Sequence, residues 1–295
     1  MPWALLALLT AFCETGKDLA MRHLLRPGAL SSRLVMGLNS LLVGLAAAPL
    51  ALLLAPPPHW DRLLPSLAAT ALVNGLAFWA YGRALAEGDL SLVLPLINLS
   101  PLVLLVTGWL VLGERPAPLA AVGVLLVVAG AFQLGRASMR TPASARQAWL
   151  GLWRSPGARP MVLVAVLWGI GASIDKLGVQ AGGTITWVAG LNLVVAMPLL
   201  LPAMAAGEER PLGEVGTGRW RWLLCTALLA LVGMALQMEA LRRTQVVHVI
   251  AIKRLSTLFG ALVGVVWLRE GRGALRLPAA LVMLCGAVLV LASAR

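Results

Sequence analysis

The chain has 295 residues, 60% hydrophobic and only 12% charged, with a formal net charge of +12 and a mean hydropathy of +0.88. Soluble domains carry about a quarter of their residues as charges, so this composition excludes a soluble globular protein and points to an integral membrane protein. The positive excess is no nucleic-acid footprint, because almost all the arginines fall between apolar runs, where anionic lipid headgroups lie.

In chain order the apolar runs are 3–20, 34–54, 66–84, 91–112, 118–134, 161–177, 184–204, 222–241, 246–268 and 277–293. Most reach the length a bilayer crossing needs. They are continuous rather than alternating, so they are helices and not barrel strands. Span 1 lacks a basic leader and carries Glu14, Lys17 and Asp18, which argues against a cleaved signal. Their i, i+3, i+4 spacing puts the three on one helix face, with Lys17 placed to pair with Glu14. Span 2 contributes Asn39. Span 4 contains LPLINLSP, where Pro95 and Pro101 flank Asn98; neither proline has an N–H to donate, so a kink is expected. A basic connection of about 26 residues, 135–160, holds five arginines and no acid. It separates a first five-span unit, 1–134, from a second, 161–295. Span 6 carries Trp168, Asp175 and Lys176, and span 7 carries Asn192. Span 9 carries His248, Lys253, Arg254, Ser256 and Thr257.

The two units repeat one another. Shifted by 156 positions, Ala84-Leu85 falls on Ala240-Leu241, Leu99-Ser100 on Leu255-Ser256, Glu114 on Glu270 and Gly130-Ala131 on Gly286-Ala287. At nearby offsets Gly37-Leu38-Asn39 matches Gly190-Leu191-Asn192, and Lys17-Asp18 matches Asp175-Lys176 with the charges reversed. Five spans per copy set the copies in opposite orientations. The expected fold is therefore an all-α integral membrane protein of ten transmembrane helices in two inverted five-helix repeats, with a site at their interface near the midplane.

The sequence also resembles the EamA-type members of the drug/metabolite transporter superfamily. The resemblance rests on five spans per half and on an acidic turn after the fourth span of each, WLVLGERP at 109–116 and WLREG at 267–271. A helix with a central glycine follows each turn. Span 6 shows Trp168-Gly169 with Lys176 eight residues after the Trp. Span 1 departs from this pattern: it lacks Trp-Gly and has Asp18 where the Lys would stand. The resemblance implies a transporter without a cofactor, moving small organic molecules, often outward, by alternating access.

Charges within spans supply the site candidates, since a charge at the centre of a lipid-facing helix costs about 2.5–3.5 kcal/mol and persists where it faces protein or water. Glu14, Lys17, Asp18, Asp175, Lys176, Lys253 and Arg254 are therefore candidates for substrate binding or coupling. Asn39, Asn98, Asn192, Trp168, Ser256 and Thr257 are candidates for the cavity wall or a gate. The asparagines could equally serve as interhelical hydrogen-bond partners, and the Glu14 and Asp175 clusters as ion pairs that fix helix packing. Lys253 and Arg254 diverge by about 100° on a regular helix, so at least one is expected to line a cavity, with an acid from span 1 or 6 as the partner open to the other. His248 is expected to be a hydrogen-bonded or headgroup-level residue. The basic pair has no acid on its own helix within a turn, which favours a substrate bearing a carboxylate or phosphate.

The expected function is a secondary transporter, an exporter in the resemblance, of a small polar metabolite across the plasma (inner) membrane, with proton coupling through Glu14, Asp18 or Asp175. A flippase for a lipid-linked phosphate and a non-transporting sensor or scaffold are the alternatives. A membrane-embedded enzyme lacks a nucleophile–base pair, and no zinc-like Cys or His spacing suggests a metal. Loops after odd-numbered spans hold 15 Lys and Arg, against five in even loops and termini. The positive-inside rule therefore places the odd loops in the cytoplasm, whereas the resemblance places the termini there.

Overall fold

The computed structural model describes residues 2–24, 32–87, 94–137, 156–205, 217–266 and 273–294. Within them the chain is helical and contains no strand. The helices are α1 (Pro2–Leu24), α2 (Ser32–Leu54), α3 (Trp60–Glu87), α4 (Ser100–Leu112), α5 (Pro118–Ala137) and α6 (Ala158–Gly182). They continue as α7 (Thr184–Ala205), α8 (Thr217–Leu241), α9 (Val246–Lys253), α10 (Leu255–Val266) and α11 (Gly273–Ser293). A 3₁₀ turn, Leu94–Leu99, leads into α4. Most of the basic connection, 138–155, and the second acidic turn, 267–272, lie outside the described residues.

Six helices among the described residues are long and apolar enough to cross a membrane, and three shorter apolar helices accompany them. Helix α1 has 23 residues, but Glu14, Lys17 and Asp18 break its apolar run. Many outward side chains are apolar, such as Leu52, Leu53, Leu72 and Val288, as a lipid-facing surface requires. Trp60 and Trp222 are exposed, consistent with an interfacial belt. Trp3 is instead buried at 6% exposure, because it stacks on His248 at 5.8 Å.

Two of the expected spans are interrupted. Span 4 is a 3₁₀ turn followed by α4, as its prolines lead one to expect. Span 9 also breaks, without a proline: α9 stops at Lys253, Arg254 forms a turn, and α10 starts at Leu255. Under the 156-residue shift Leu99 corresponds to Leu255 and Ser100 to Ser256, so the two breaks are equivalent positions.

The most extensive pairings are α5 with α11, α1 with α8, α2 with α7 and α3 with α6. Exchanging the two halves maps this set onto itself, since α1–α8 becomes α6–α3. Small residues allow the closest approach. A Cβ on Gly123 would sit 2.7 Å from the Gly286 carbonyl oxygen, and one on Gly130 would sit 2.8 Å from that of Ala279. Under the 156-residue shift the pair Gly123–Gly286 corresponds to the pair Ala279–Gly130, with the roles of the added Cβ and the carbonyl exchanged. Gly169, of the Trp-Gly pair in α6, does comparable work at the break of span 4. A Cβ there would come within 2.8 Å of Val103 and 3.2 Å of the Ser100 oxygen.

Candidate functional site

Where the halves meet, a cavity of about 780 Å³ opens among α1, α2, α3, α6, α7, α8 and both broken spans. Of the thirteen sequence-expected site residues, twelve border it. The charged ones are Glu14, Lys17, Asp18, Asp175, Lys253 and Arg254, and the others are Asn39, Asn98, Asn192, Trp168, Ser256 and Thr257. Much of the remaining wall is soft and apolar, with Met21, Met36, Met234, Met238, Phe78 and Ile250. Asp18, whose side chain is 67% exposed, marks the open end, near the end of α1 and the start of α2.

Lys176 does not border this cavity. Adjacent helical residues diverge by about 100°, so Asp175 faces the cavity and Lys176 turns away. Lys176 Nζ lies 2.5 Å from Glu114 Oε1 and 2.5 Å from the Thr244 carbonyl oxygen. Glu114 stands just past α4, where Gly113 adopts φ +67 and closes the helix with Glu114 N–H to Gly108 O and Gly113 N–H to Trp109 O, both 3.0 Å. That turn also sets Glu114 Oε2 2.8 Å from the backbone N–H of Val246, the first residue of α9. The acidic turn thus caps α9 and ties α4, α6 and α9 together at the end opposite Asp18.

Inside the cavity Glu14 is the electrostatic hub. Lys17 Nζ is 2.6 Å from Glu14 Oε1, and Lys253 Nζ is 3.7 Å from Glu14 Oε2. Lys253 also donates to Gln237 Oε1 at 2.8 Å. Lys17 lies 3.8 Å from Asp18. Asp175 accepts from the indole N–H of the fully buried Trp187 at 3.3 Å.

At least one of Lys253 and Arg254 is expected on the cavity wall, and both border it. The helix ends between them, and the wall is broad enough to take both directions. Lys253 has its acid, Glu14, from span 1. Arg254 makes no ion pair among the described residues. Its Nη2 donates to the Ser100 hydroxyl, and its buried Nε has no partner among the described residues.

Asn192 donates to the Val188 carbonyl at 2.8 Å and to Met234 Sδ at 3.4 Å, a packing role. Asn39, its counterpart, is 9% exposed, and its Oδ1 has no partner among the described residues. Arg254 and Asn39 thus each border the cavity with one buried polar atom, Nε and Oδ1, unpaired among the described residues. His248 shares a 3.1 Å hydrogen bond with the Thr244 hydroxyl and lies outside the cavity, as expected for a hydrogen-bonded histidine.

Sequence reasoning did not single out Ser100, Gln237 or Trp187 as partners. Ser100 was visible in the repeat register; Gln237 and Trp187 left no signal. Glu114 was visible as the acidic turn, but not as the partner of Lys176.

The family model described as the EamA-like transporter family matches the chain twice, over residues 1–136 and 156–292. A solved crystal structure with 18% identity superposes with a TM-score of 0.77, covering 99% of this chain and 97% of that one. At that identity the likeness is one of fold. No curated protein matches the chain.

Proposed function

The chain belongs to the EamA-like transporter family, and is thus a multi-pass membrane transporter. On that premise we propose that it carries a small carboxylate- or phosphate-bearing metabolite by alternating access between two inverted five-helix repeats. The ten crossings are the six long helices or spans, the three shorter apolar ones and α1. The observation that carries the reading is Arg254. It stands at a helix break on the wall of a 780 Å³ cavity, with no carboxylate partner among the described residues and one buried N–H unsatisfied. A guanidinium so placed matches an anionic oxygen pair by a two-pronged hydrogen bond. Lys253, shared with Glu14, adds field at the same point. Asn39 Oδ1 offers an acceptor for a substrate N–H or O–H.

Glu14, Asp18 and Asp175 are the groups through which protons would couple. The charge count places the arginine-rich odd loops in the cytoplasm. The mouth near Asp18 then faces inward, and the Glu114–Lys176 tie closes the outer side. We propose export across the inner membrane as the direction, with the substrate loading from the cytoplasm. A compartment-reporting fusion at the C-terminus tests the orientation: a signal from outside the cytoplasm agrees with it.

The functional test is transport in proteoliposomes of purified protein, over a panel of small carboxylates and phosphate esters. Uptake of at least one, lost in Arg254→Ala while the variant remains folded, supports the site. Wild-type uptake by Arg254→Ala would refute it.

A further inference from the structure

A second cavity, of about 550 Å³, lies at the tied end, beyond Lys176. Its wall includes Arg115, Lys176, Arg242, Arg243, Gln245 and His248, and among the described residues no carboxylate side chain borders it. Two acids stand behind these cations. Glu114 holds Lys176 at 2.5 Å. Glu239 serves both Arg242, at 3.2 Å, and Arg243, at 2.7 Å. Arg115 is exposed and makes no ion pair among the described residues. Four cations against two acids leave the cavity with a positive excess.

An independent observation points the same way. Four buried side-chain polar atoms lack a hydrogen-bond partner among the described residues: Asn39 Oδ1, Arg254 Nε, Gln245 Oε1 and His248 Nε2. The first two belong to residues of the transport cavity and the other two to residues of this one. His248 is only 4% exposed, pinned by Trp3 on its face and Thr244 at Nδ1. Leaving a buried polar group unsatisfied costs about 1–3 kcal/mol, so such atoms mark places where a side-chain rearrangement, an ion or a ligand satisfies them.

We propose that this second cavity is a separate binding site for a phosphate-type anion, held by Arg115, Arg242 and Arg243 with Lys176 at its floor. The anion is either free phosphate or the phosphodiester of an anionic lipid headgroup; both present the same oxygens to the same guanidinium groups.

The experiment measures binding to the purified full chain in phosphate-free buffer. Inorganic phosphate is titrated calorimetrically into protein in detergent. In parallel, thermal stability is compared in nanodiscs of phosphatidylcholine with and without phosphatidylglycerol. The variants are Arg115→Gln alone, the triple change Arg115→Gln, Arg242→Gln and Arg243→Gln, and Arg254→Gln as a control in the transport cavity. Lys176 is left intact because it also closes the tie to Glu114. Saturable phosphate binding, weakened severalfold by Arg115→Gln and at least tenfold by the triple variant, supports the site with free phosphate as ligand. Stabilisation by phosphatidylglycerol alone, lost in the triple variant, supports it with lipid as ligand. In either case Arg254→Gln must retain the effect, so the outcome stands apart from the transport reading. No phosphate or phosphatidylglycerol effect in wild type overturns the proposal. An effect that survives the triple variant, or that Arg254→Gln removes, overturns it as well. Should the triple variant fail to fold, Arg115→Gln, which breaks no ion pair among the described residues, decides the case.

Discussion

The breaks of the fourth and ninth spans occupy equivalent places in the two halves, yet they are made and used differently. Span 4 breaks where Pro95 and Pro101 withhold backbone donors, and its cavity side offers Asn98 and the Ser100 hydroxyl. Span 9 has no proline. Arg254 N–H still bonds Ile250 O at 3.1 Å, but Thr257 N–H bonds Arg254 O, a tighter i to i+3 closure. The shift places Ile97 opposite Lys253 and Asn98 opposite Arg254. One half thus supplies a neutral, hydrogen-bonding break and the other a cationic one, and Arg254 reaches across to Ser100 to join them. The two copies share the scaffold and differ in charge at these two residues. A symmetric pair of cationic breaks would set four like charges around one cavity, with few acids to balance them.

The largest effect should come from removing that asymmetry at its centre. Losing a hydrogen bond to a charged group costs about 1.5–3 kcal/mol, so Arg254→Ala should lower kcat/KM for transport by about 10- to 150-fold. Arg254→Lys should recover little of it, since an ammonium lacks the planar fork. Liposome uptake, normalised to folded protein, measures both. The sharper form exchanges the charge between halves. Asn98→Arg with Arg254→Asn should recover transport above Arg254→Asn alone if the two breaks are spatially equivalent; no recovery would show that the surroundings, not the register, fix the role.

Next in size is Glu14→Gln. Removing one partner of a buried ion pair costs about 3–5 kcal/mol. Lys17, Lys253 and Glu14 keep roughly a quarter of their side-chain surface exposed, so screening reduces this to about 2 kcal/mol. A fall of several degrees in Tm is the expected readout, with Asp18→Asn, at the open end, shifting Tm far less.

Glu114→Gln should act at the opposite end. It weakens the tie to Lys176, so amide hydrogen exchange at the start of α9 should quicken severalfold while that in α10 is unchanged. Equal acceleration in both helices would mean that the tie holds the bundle generally and not this end.

A last pair of effects is steric, and its smaller member is the smallest of all. Gly123→Ala forces its Cβ against the Gly286 carbonyl and should destabilise the α5–α11 crossing by about 1–3 kcal/mol. Gly75→Ala in α3 meets nothing within 4 Å, so it should be neutral or stabilise by up to about 1 kcal/mol. Thermal melts of the two variants separate the cases.

Much of the site was legible because hydropathy makes an intramembrane charge conspicuous. Glu14, Asp18, Asp175, Lys253 and Arg254 stand out against leucine and alanine, and all border the cavity. Lys176 stood out equally, yet it lies outside, because the face a residue presents depends on how its helix is rotated against its neighbours. Asn39 and Asn192 read alike in the repeat, and only packing leaves one unsatisfied while the other bonds its own helix. Gln237 and Trp187 are an ordinary polar residue and an ordinary aromatic until α8 and α7 bring them to Lys253 and Asp175.

By itself the amino-acid order determined that the chain lives in a membrane as helices, that its two halves repeat one another, and where its costly charges lie. These follow from transfer free energies and chain periodicity, which are local and nearly additive along the sequence. Only the tertiary structure decided which charges share a cavity, that Lys253 is matched by Glu14 while Arg254 is matched by no acid among the described residues, and that the acidic turn after α4 ties down α9. Those outcomes depend on contacts between residues more than a hundred positions apart, set by helix rotation and by glycines that let backbones meet, and no periodicity encodes them.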